Sequence, residues 1–485
     1  MTETAVPRIT PTIENAAAVD LSRAHFVGIG GTGMLPLARV CAEWGLRVSG
    51  SNDVPFAGQE EIARFGAAVH IGHGEDQVPD DATAVVFTHA IGDTNPEIAA
   101  ARQLGIPLVH RSTALACLMR SRTAIGVLGT HGKTSTAGML SVGLSRMGHT
   151  PSYVIGGDLE GPASGGRVGS GHFFVAEVDE SDRTHLNVDV NVAVVTNIEH
   201  DHPENYASEL DHVDAYEVFV RGMRASGTLI LNADSPGTRE LAARLSMAGD
   251  GPRVVTFGLS SNATWRITEP SVQEDGRGTA TLTGPSGLEF ELAVRVPGVH
   301  QLLNATACVA AVHALGLDCD LAVEQFGYFD GVARRMSLAG EAEGVRVYDS
   351  YAHHPTEVTA DLVAAHAMVG SEGRVLAVFQ PAGQVRMNLF SPEFAAALAG
   401  ADEVVLTNSV VPVTTASLSE LAEAVTEAGG SVTAIEDDRA EATKSVASVA
   451  RPGDVVVLMG TGDLVDFGPV LTATLTEQGE AVSAA

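Results

Sequence analysis

The sequence predicts an α/β protein made of three successive strand-and-helix domains. Two observations carry this. Short continuous apolar runs alternate with longer helical stretches through most of the 485 residues, and two of those runs lead through glycine-rich turns, Gly28 to Gly33 and Gly129 to Gly132, directly into helices. Strand-turn-helix junctions of this kind put ligands at the carboxyl ends of parallel strands. The chain is too long for one core, and at roughly 100 to 200 residues per domain it holds about three.

The elements follow in order. After a tail over residues 1–20, His25 to Ile29 reads as a strand, followed by Gly28-Ile29-Gly30-Gly31-Thr32-Gly33 and a helix through Trp44. Arg47 to Gly50, Val85 to Thr88 and Pro107 to His110 continue the alternation and complete a first domain, 21–120. Thr123 to Leu128 opens a central domain, 121–332, whose later strands Phe173 to Val178 and Val192 to Thr196 end in polar clusters. Uninterrupted apolar runs are expected of parallel strands buried on both faces. From Trp265 to Val296 short alternating segments with Gly-Arg-Gly and Gly-Pro-Ser-Gly turns predict antiparallel strands, and Asn304 to Leu315 predicts a helix. A third domain, 333–475, has strands at Val345 to Tyr348, Val375 to Phe379, Val404 to Thr407 and Val455 to Met459, a helix over Thr356 to Met368, and a tail at 476–485.

A formal charge of −31 without a basic run argues against nucleic-acid binding, while small phosphorylated ligands remain open through local loops. Cys41, Cys117, Cys308 and Cys319 have no metal-site spacing and read as buried, reduced thiols. No apolar leader and no run of about 18 apolar residues occurs, so a cytoplasmic protein without a membrane span is expected.

Lys133 is one of only two lysines and sits in Gly129-Thr130-His131-Gly132-Lys133-Thr134-Ser135, directly after a strand. Glycine amides and a helix N-terminus suit phosphate, the lysine neutralises outer phosphates, and Thr134 suits Mg²⁺. The strict phosphate-loop pattern would want glycine at Val127, so this loop is contracted. Gly28, Gly30 and Gly33 form G-x-G-x-x-G with Asp53 twenty residues on, which fits NAD in a dehydrogenase or another diphosphate. The second loop favours a diphosphate-bearing substrate. Glu177 ends a strand within reach of a phosphate-bound metal, whereas Asp179, Glu180 and Asp182 read equally as a solvated acidic turn. Thr196-Asn197-Ile198-Glu199-His200-Asp201-His202 could bind metal, although Mg²⁺ prefers oxygen; a zinc hydrolase would want three ligands the pattern does not supply.

These segments resemble the Mur ligase family: Gly129 to Thr134, Glu177 to Asp182, Thr196 to His202, Pro297 to His300 with Asn304, and Ala352 to Glu357, in order from about His25 to Asp463. His25 to Met34, Val48 to Ser51 and Asn95 to Glu97 are similar to the branch that adds L-alanine to UDP-N-acetylmuramate. The resemblance implies a Rossmann-like UDP-binding domain, a central P-loop ATPase-like domain and a C-terminal Rossmann-like domain. It implies a catalytic set of Lys133, Glu177, His202, His353 and Arg386, with ATP at Gly129, Thr130, Gly132, Lys133, Thr134, Ser135, Asn304, Arg334 and Asp349. Mg²⁺ would lie at Thr134, Glu177 and His202; the nucleotide sugar and amino acid would meet Gly28, Gly30, Gly31, Gly33, Met34, Ser51, Arg111 and His354. The implied chemistry is ATP-dependent amide formation through an acyl phosphate, by a monomer or weak homodimer. A carbamylated lysine, used by many members, is excluded, because Lys444 lies in the third domain. Departures cluster at Ala382 and Gly383, where the family usually has His-Arg, and at His89 and Thr113. They leave open a catalytically silent paralogue, or a paralogue that joins glycine or serine or takes a related nucleotide sugar.

Overall fold

The structure, a computed structural model, describes residues 19–159, 164–249, 251–371, 373–408 and 413–483. Its first sheet contains β1 (Arg23–Val27), β2 (Arg47–Asn52), β3 (Ala68–Ile71), β4 (Ala84–Phe87) and β5 (Leu108–His110), ordered 3-2-1-4-5. All four pairings are parallel. The order reverses at β1, so the glycine turn leaving β1 lies at the switch point where such sheets take ligands. The strand expected to reach Ile29 stops at Val27, because Gly28 turns out of it at φ 75°.

A second sheet contains β6 (Thr123–Leu128), β7 (Ser152–Val154), β8 (Gly166–Arg167), β9 (Phe173–Glu177), β10 (Val192–Val195), β11 (Thr228–Asn232) and β12 (Arg253–Gly258). Their order is 12-11-10-6-9-7-8. β6 and β9 are adjacent and parallel, with Val127 opposite Glu177, while β10 flanks β6 on its other side. The loops that follow β6, β9 and β10 therefore meet at one sheet end. β13 (Trp265–Val272), β14 (Gly278–Thr283) and β15 (Glu289–Val294) are neighbours in that order, and β14 alternates buried and part-exposed residues along its length. The helix expected from Asn304 begins earlier and runs Val299–Ala314.

The third sheet contains β16 (Arg335–Ala342), β17 (Val345–Ser350), β18 (Val375–Phe379), β19 (Glu403–Thr407), β20 (Val432–Glu436) and β21 (Val455–Met459), ordered 16-17-21-18-19-20. Only β16 pairs antiparallel. Successive side chains along a strand point to opposite faces. Val375, Ala377 and Phe379 accordingly pack in one core, and Leu376 and Val378 in another.

The chain divides into two compact units. One runs to Arg266 and takes in Thr283–Leu288 and Asn304–Phe326; the other comprises Ile267–Leu282, Glu289–Leu303 and the chain from Gly327. The first two sheets share the first unit and one hydrophobic core, which joins Phe26 and Leu37 to Phe174 and Val195. Trp44 packs its ring 6.2 Å from that of Phe174 across the join.

Candidate active site

Gly129 and Gly132 take φ of 129° and 79°, and Gly132 caps the helix Lys133–Arg146. A Cβ at Gly129 would stand 2.0 Å from Thr196 Oγ1, so glycine is needed for space as well as for conformation. The loop is pinned to the end of β10: the His131 amide donates to Asn197 Oδ1 at 2.8 Å, and Glu199 N donates to Thr130 Oγ1 at 2.9 Å. Asn304 faces the same turn, its Oδ1 lying 3.1 Å from the position of a Cβ at Gly132. Ser135 is buried in the first turn of the helix.

Lys133 folds back over its own loop. Its Nζ donates to the Gly129 carbonyl at 2.6 Å, the Thr130 carbonyl at 3.1 Å and both Glu180 oxygens at 3.0 and 2.8 Å. Burial alone would lower the lysine, but Glu180, Asp179 and Glu177 outweigh it and hold the ammonium above its ordinary range. Thr134 Oγ1 donates to Glu177 Oε1 at 3.0 Å, and the Gly156 amide donates to Glu177 Oε2 at 2.6 Å. His202 takes φ 52°, and its Nε2 lies 3.5 Å from Asp201 and 3.7 Å from Glu180. Burial would lower that imidazole, but its carboxylate neighbours Glu204, Asp201 and Glu180 raise it on balance.

The solvated-turn reading of residues 179–182 does not hold. The side chains of Glu180 and Asp182 are 0 % exposed, and Tyr206 Oη donates to the Glu180 carbonyl at 2.7 Å. Arg111, at the start of the helix Arg111–Met119, donates from Nε to Asp182 at 2.5 Å and from Nη2 to Asp179 at 2.7 Å. The sequence left Asp179, Glu180 and Asp182 open between a role at the site and a solvated turn; what it did not reveal is their pairing with Lys133 and Arg111.

At the first glycine turn, the Gly28 and Ile29 amides donate to the Ser51 carbonyl at 2.9 and 2.8 Å, and the Gly30 amide donates to Asn52 Oδ1 at 3.1 Å. Gly31 N donates to the Gly28 carbonyl at 3.0 Å. A Cβ at Gly33 would meet Arg111 Nη1 at 2.0 Å. Ser51 Oγ donates to Glu97 Oε2 at 2.6 Å, and buried Glu97 also approaches His25 and His73, each at 3.3 Å. Met34, expected on the substrate side, is 1 % exposed and packs in the core.

In the second unit, Arg334 takes φ 64° and donates from Nη2 to the Gly460 and Gly462 carbonyls at 2.9 and 3.0 Å. Its charge opposes the burial that raises neighbouring Asp349 to about 6. His353 holds Glu357 at 3.2 Å. His354 accepts the Thr356 amide at 3.3 Å as cap of the helix Pro355–Met368 and packs its buried ring on Phe390. Arg386 lies in the first turn of the helix Gln384–Leu398, after Gly383 at φ 130°.

A switch-point glycine loop and a lysine phosphate loop, on two sheets that share a core, define an α/β enzyme that handles nucleotides. Three family descriptions match the chain: "Mur ligase family, catalytic domain" over residues 23–123, "Mur ligase middle domain" over 127–312, and "Mur ligase, glutamate ligase domain" over 334–462. The chain belongs to the Mur ligase family and is an ATP-dependent ligase. A UDP-N-acetylmuramate–L-alanine ligase of Streptomyces griseus is 44% identical over 93% of this chain and 96% of its own length. A protein of the same name from Thermobifida fusca is 40% identical over 94% of this chain and 97% of its own length. The crystal structure of UDP-N-acetylmuramate-alanine ligase from Thermotoga maritima superposes with a TM-score of 0.76 at 29% identity, covering 95% of this chain and 99% of that one.

Proposed function

We propose that this ligase joins L-alanine to the lactyl carboxylate of UDP-N-acetylmuramate, with conversion of ATP to ADP and phosphate, in peptidoglycan synthesis. The observation that carries the reading is the gathering of Lys133, Thr134 and Glu177 at the shared end of β6 and β9, in a chain alike almost end to end to ligases of that name. The substrate carboxylate attacks the γ-phosphoryl group to give an acyl phosphate, and the amine then displaces phosphate through a tetrahedral intermediate. Activation replaces a poor leaving group with a good one.

Lys133 offsets phosphate charge, and the loop amides orient the phosphates. Thr134 and Glu177 present the oxygen donors that Mg²⁺ favours, and His202 is the third residue we assign to it. When bound, the ion supplies charge stabilisation at the transferring phosphoryl group. The glycine turn Gly28–Gly33, with Ser51 and Arg111, receives the UDP moiety. Arg334, Asp349, His353, His354 and Arg386 serve ATP and the incoming amino acid. We assign the reaction to the cytoplasm, where ATP is available; among the described residues no helix is long and apolar enough to cross a membrane.

Phosphate release with ATP, Mg²⁺, UDP-N-acetylmuramate and a panel of amino acids, with product mass, tests the reading. Release that needs the nucleotide sugar and is strongest with L-alanine is expected. A preference for glycine or serine would instead assign the changes at Ala382 and Gly383 to altered specificity.

A further inference from the structure

We propose that Arg111 is a positioning residue that couples the two nucleotide sites, so that filling the glycine loop Gly28–Gly33 prepares the phosphate loop around Lys133. The inference rests on the functional reading above and adds to it a thermodynamic link between the substrates.

The turn 179–182 has two faces. Asp179 and Asp182 present their carboxylates to the fork of Arg111, while Glu180, between them, turns its carboxylate to Lys133. Both aspartates are set in advance: Asp182 Oδ1 accepts the Thr184 amide at 3.0 Å and the Thr184 hydroxyl at 2.6 Å, and Asp179 accepts the amide and hydroxyl of Ser181 at 3.0 and 2.7 Å. A planar guanidinium matches two fixed carboxylates in a way that a lysine ammonium cannot. The remaining nitrogen, Nη1, backs onto Gly33, where even one methyl group would collide with it.

Arg111 thus touches the glycine loop with one nitrogen and the turn that restrains Lys133 with two. A diphosphate held in the glycine loop draws on the same guanidinium. The grip on Asp179 and Asp182 then relaxes, the turn shifts, and Glu180 yields Lys133 to the incoming ATP phosphates. Because coupling of binding free energies is reciprocal, each nucleotide tightens the other by the same factor.

The test is calorimetric affinity for a non-hydrolysable ATP analogue with Mg²⁺, with and without saturating UDP-N-acetylmuramate, on the full chain. Wild type is expected to bind the analogue about fivefold or more tightly when the nucleotide sugar is present. Arg111→Lys should weaken binding of the nucleotide sugar itself and, once that ligand is raised to saturation, bring the factor for the ATP analogue close to one. Asp179→Asn, which keeps the Ser181 turn and removes one prong of the clamp, should reduce it in part and carries the test if Arg111→Lys does not fold. Equal analogue affinity with and without the nucleotide sugar in wild type, or undiminished coupling in both variants, overturns the inference. Failure of wild type to bind UDP-N-acetylmuramate at all would overturn the functional reading itself, and with it this link.

Discussion

Lys133 stands out in the sequence because lysine is so scarce here, but the carboxylate that holds it does not. An acidic run in a sequence is ordinarily a solvated surface, and nothing local distinguishes Glu180 from its neighbours; its burial comes from distant residues such as Tyr206. Two outcomes follow at this scale. Lys133→Ala should lower kcat by about 10²- to 10⁴-fold, roughly 3 to 5 kcal/mol of barrier, and a loss below about threefold in steady-state phosphate release would remove Lys133 from the mechanism. Glu180→Ala should cost roughly 2 to 4 kcal/mol of stability in urea unfolding, since it removes the carboxylate hydrogen-bonded to a buried ammonium and leaves that group two carbonyl acceptors and the more distant charges of Asp179 and Glu177. An unchanged unfolding midpoint would mean that the pair contributes nothing net.

Elements with continuous apolar runs were readable: β18 and β21 have the bounds expected from the sequence, and β6 is the strand expected before the phosphate loop. Edge strands were not. β3 is largely exposed, β20 has no fully buried residue, and β8 has just two residues, so none offers the buried apolar run that marked the inner strands. Pairing with a neighbour, rather than composition, makes them strands. Packing at the phosphate-loop helix yields a prediction of its own. A Cβ at Gly143 would come within 2.2 Å of the Phe326 ring, which ends the helix Cys319–Phe326. Gly143→Ala should therefore destabilise the protein by about 1 to 3 kcal/mol through overpacking. Adding Phe326→Leu should recover part of that loss in a double-mutant cycle, and strictly additive effects would exclude the clash as the cause.

At the scale of the molecule, two pairs of buried carboxyls should answer pH with opposite signs. Burial raises Asp361 to about 7 and Asp349 to about 6, against an ordinary value of 3.8. When folded, these two carboxyls keep protons that the unfolded chain releases, so the stability they contribute falls as pH climbs from about 4 to about 7. In the first unit burial would raise Asp179 and Asp182, but Arg111 outweighs it and lowers both, Asp179 to about 2. Their contribution is present above about pH 4 and is lost as pH drops toward about 2. In calorimetric melts from about pH 4 to about pH 8, Asp361→Asn should lose less Tm with rising pH than wild type; an identical slope in both would refute the assignment.

The α/β class, the two glycine loops and the family likeness are all present in the linear sequence, because they reside in short segments whose chemistry is set by neighbours along the chain. Folding in three dimensions adds what the linear order conceals: the first two sheets share a core, a turn resembling solvated surface is buried, and Arg111 clamps Asp179 and Asp182. Those facts depend on which residues meet across long stretches of chain, and burial and charge pairing arise only there.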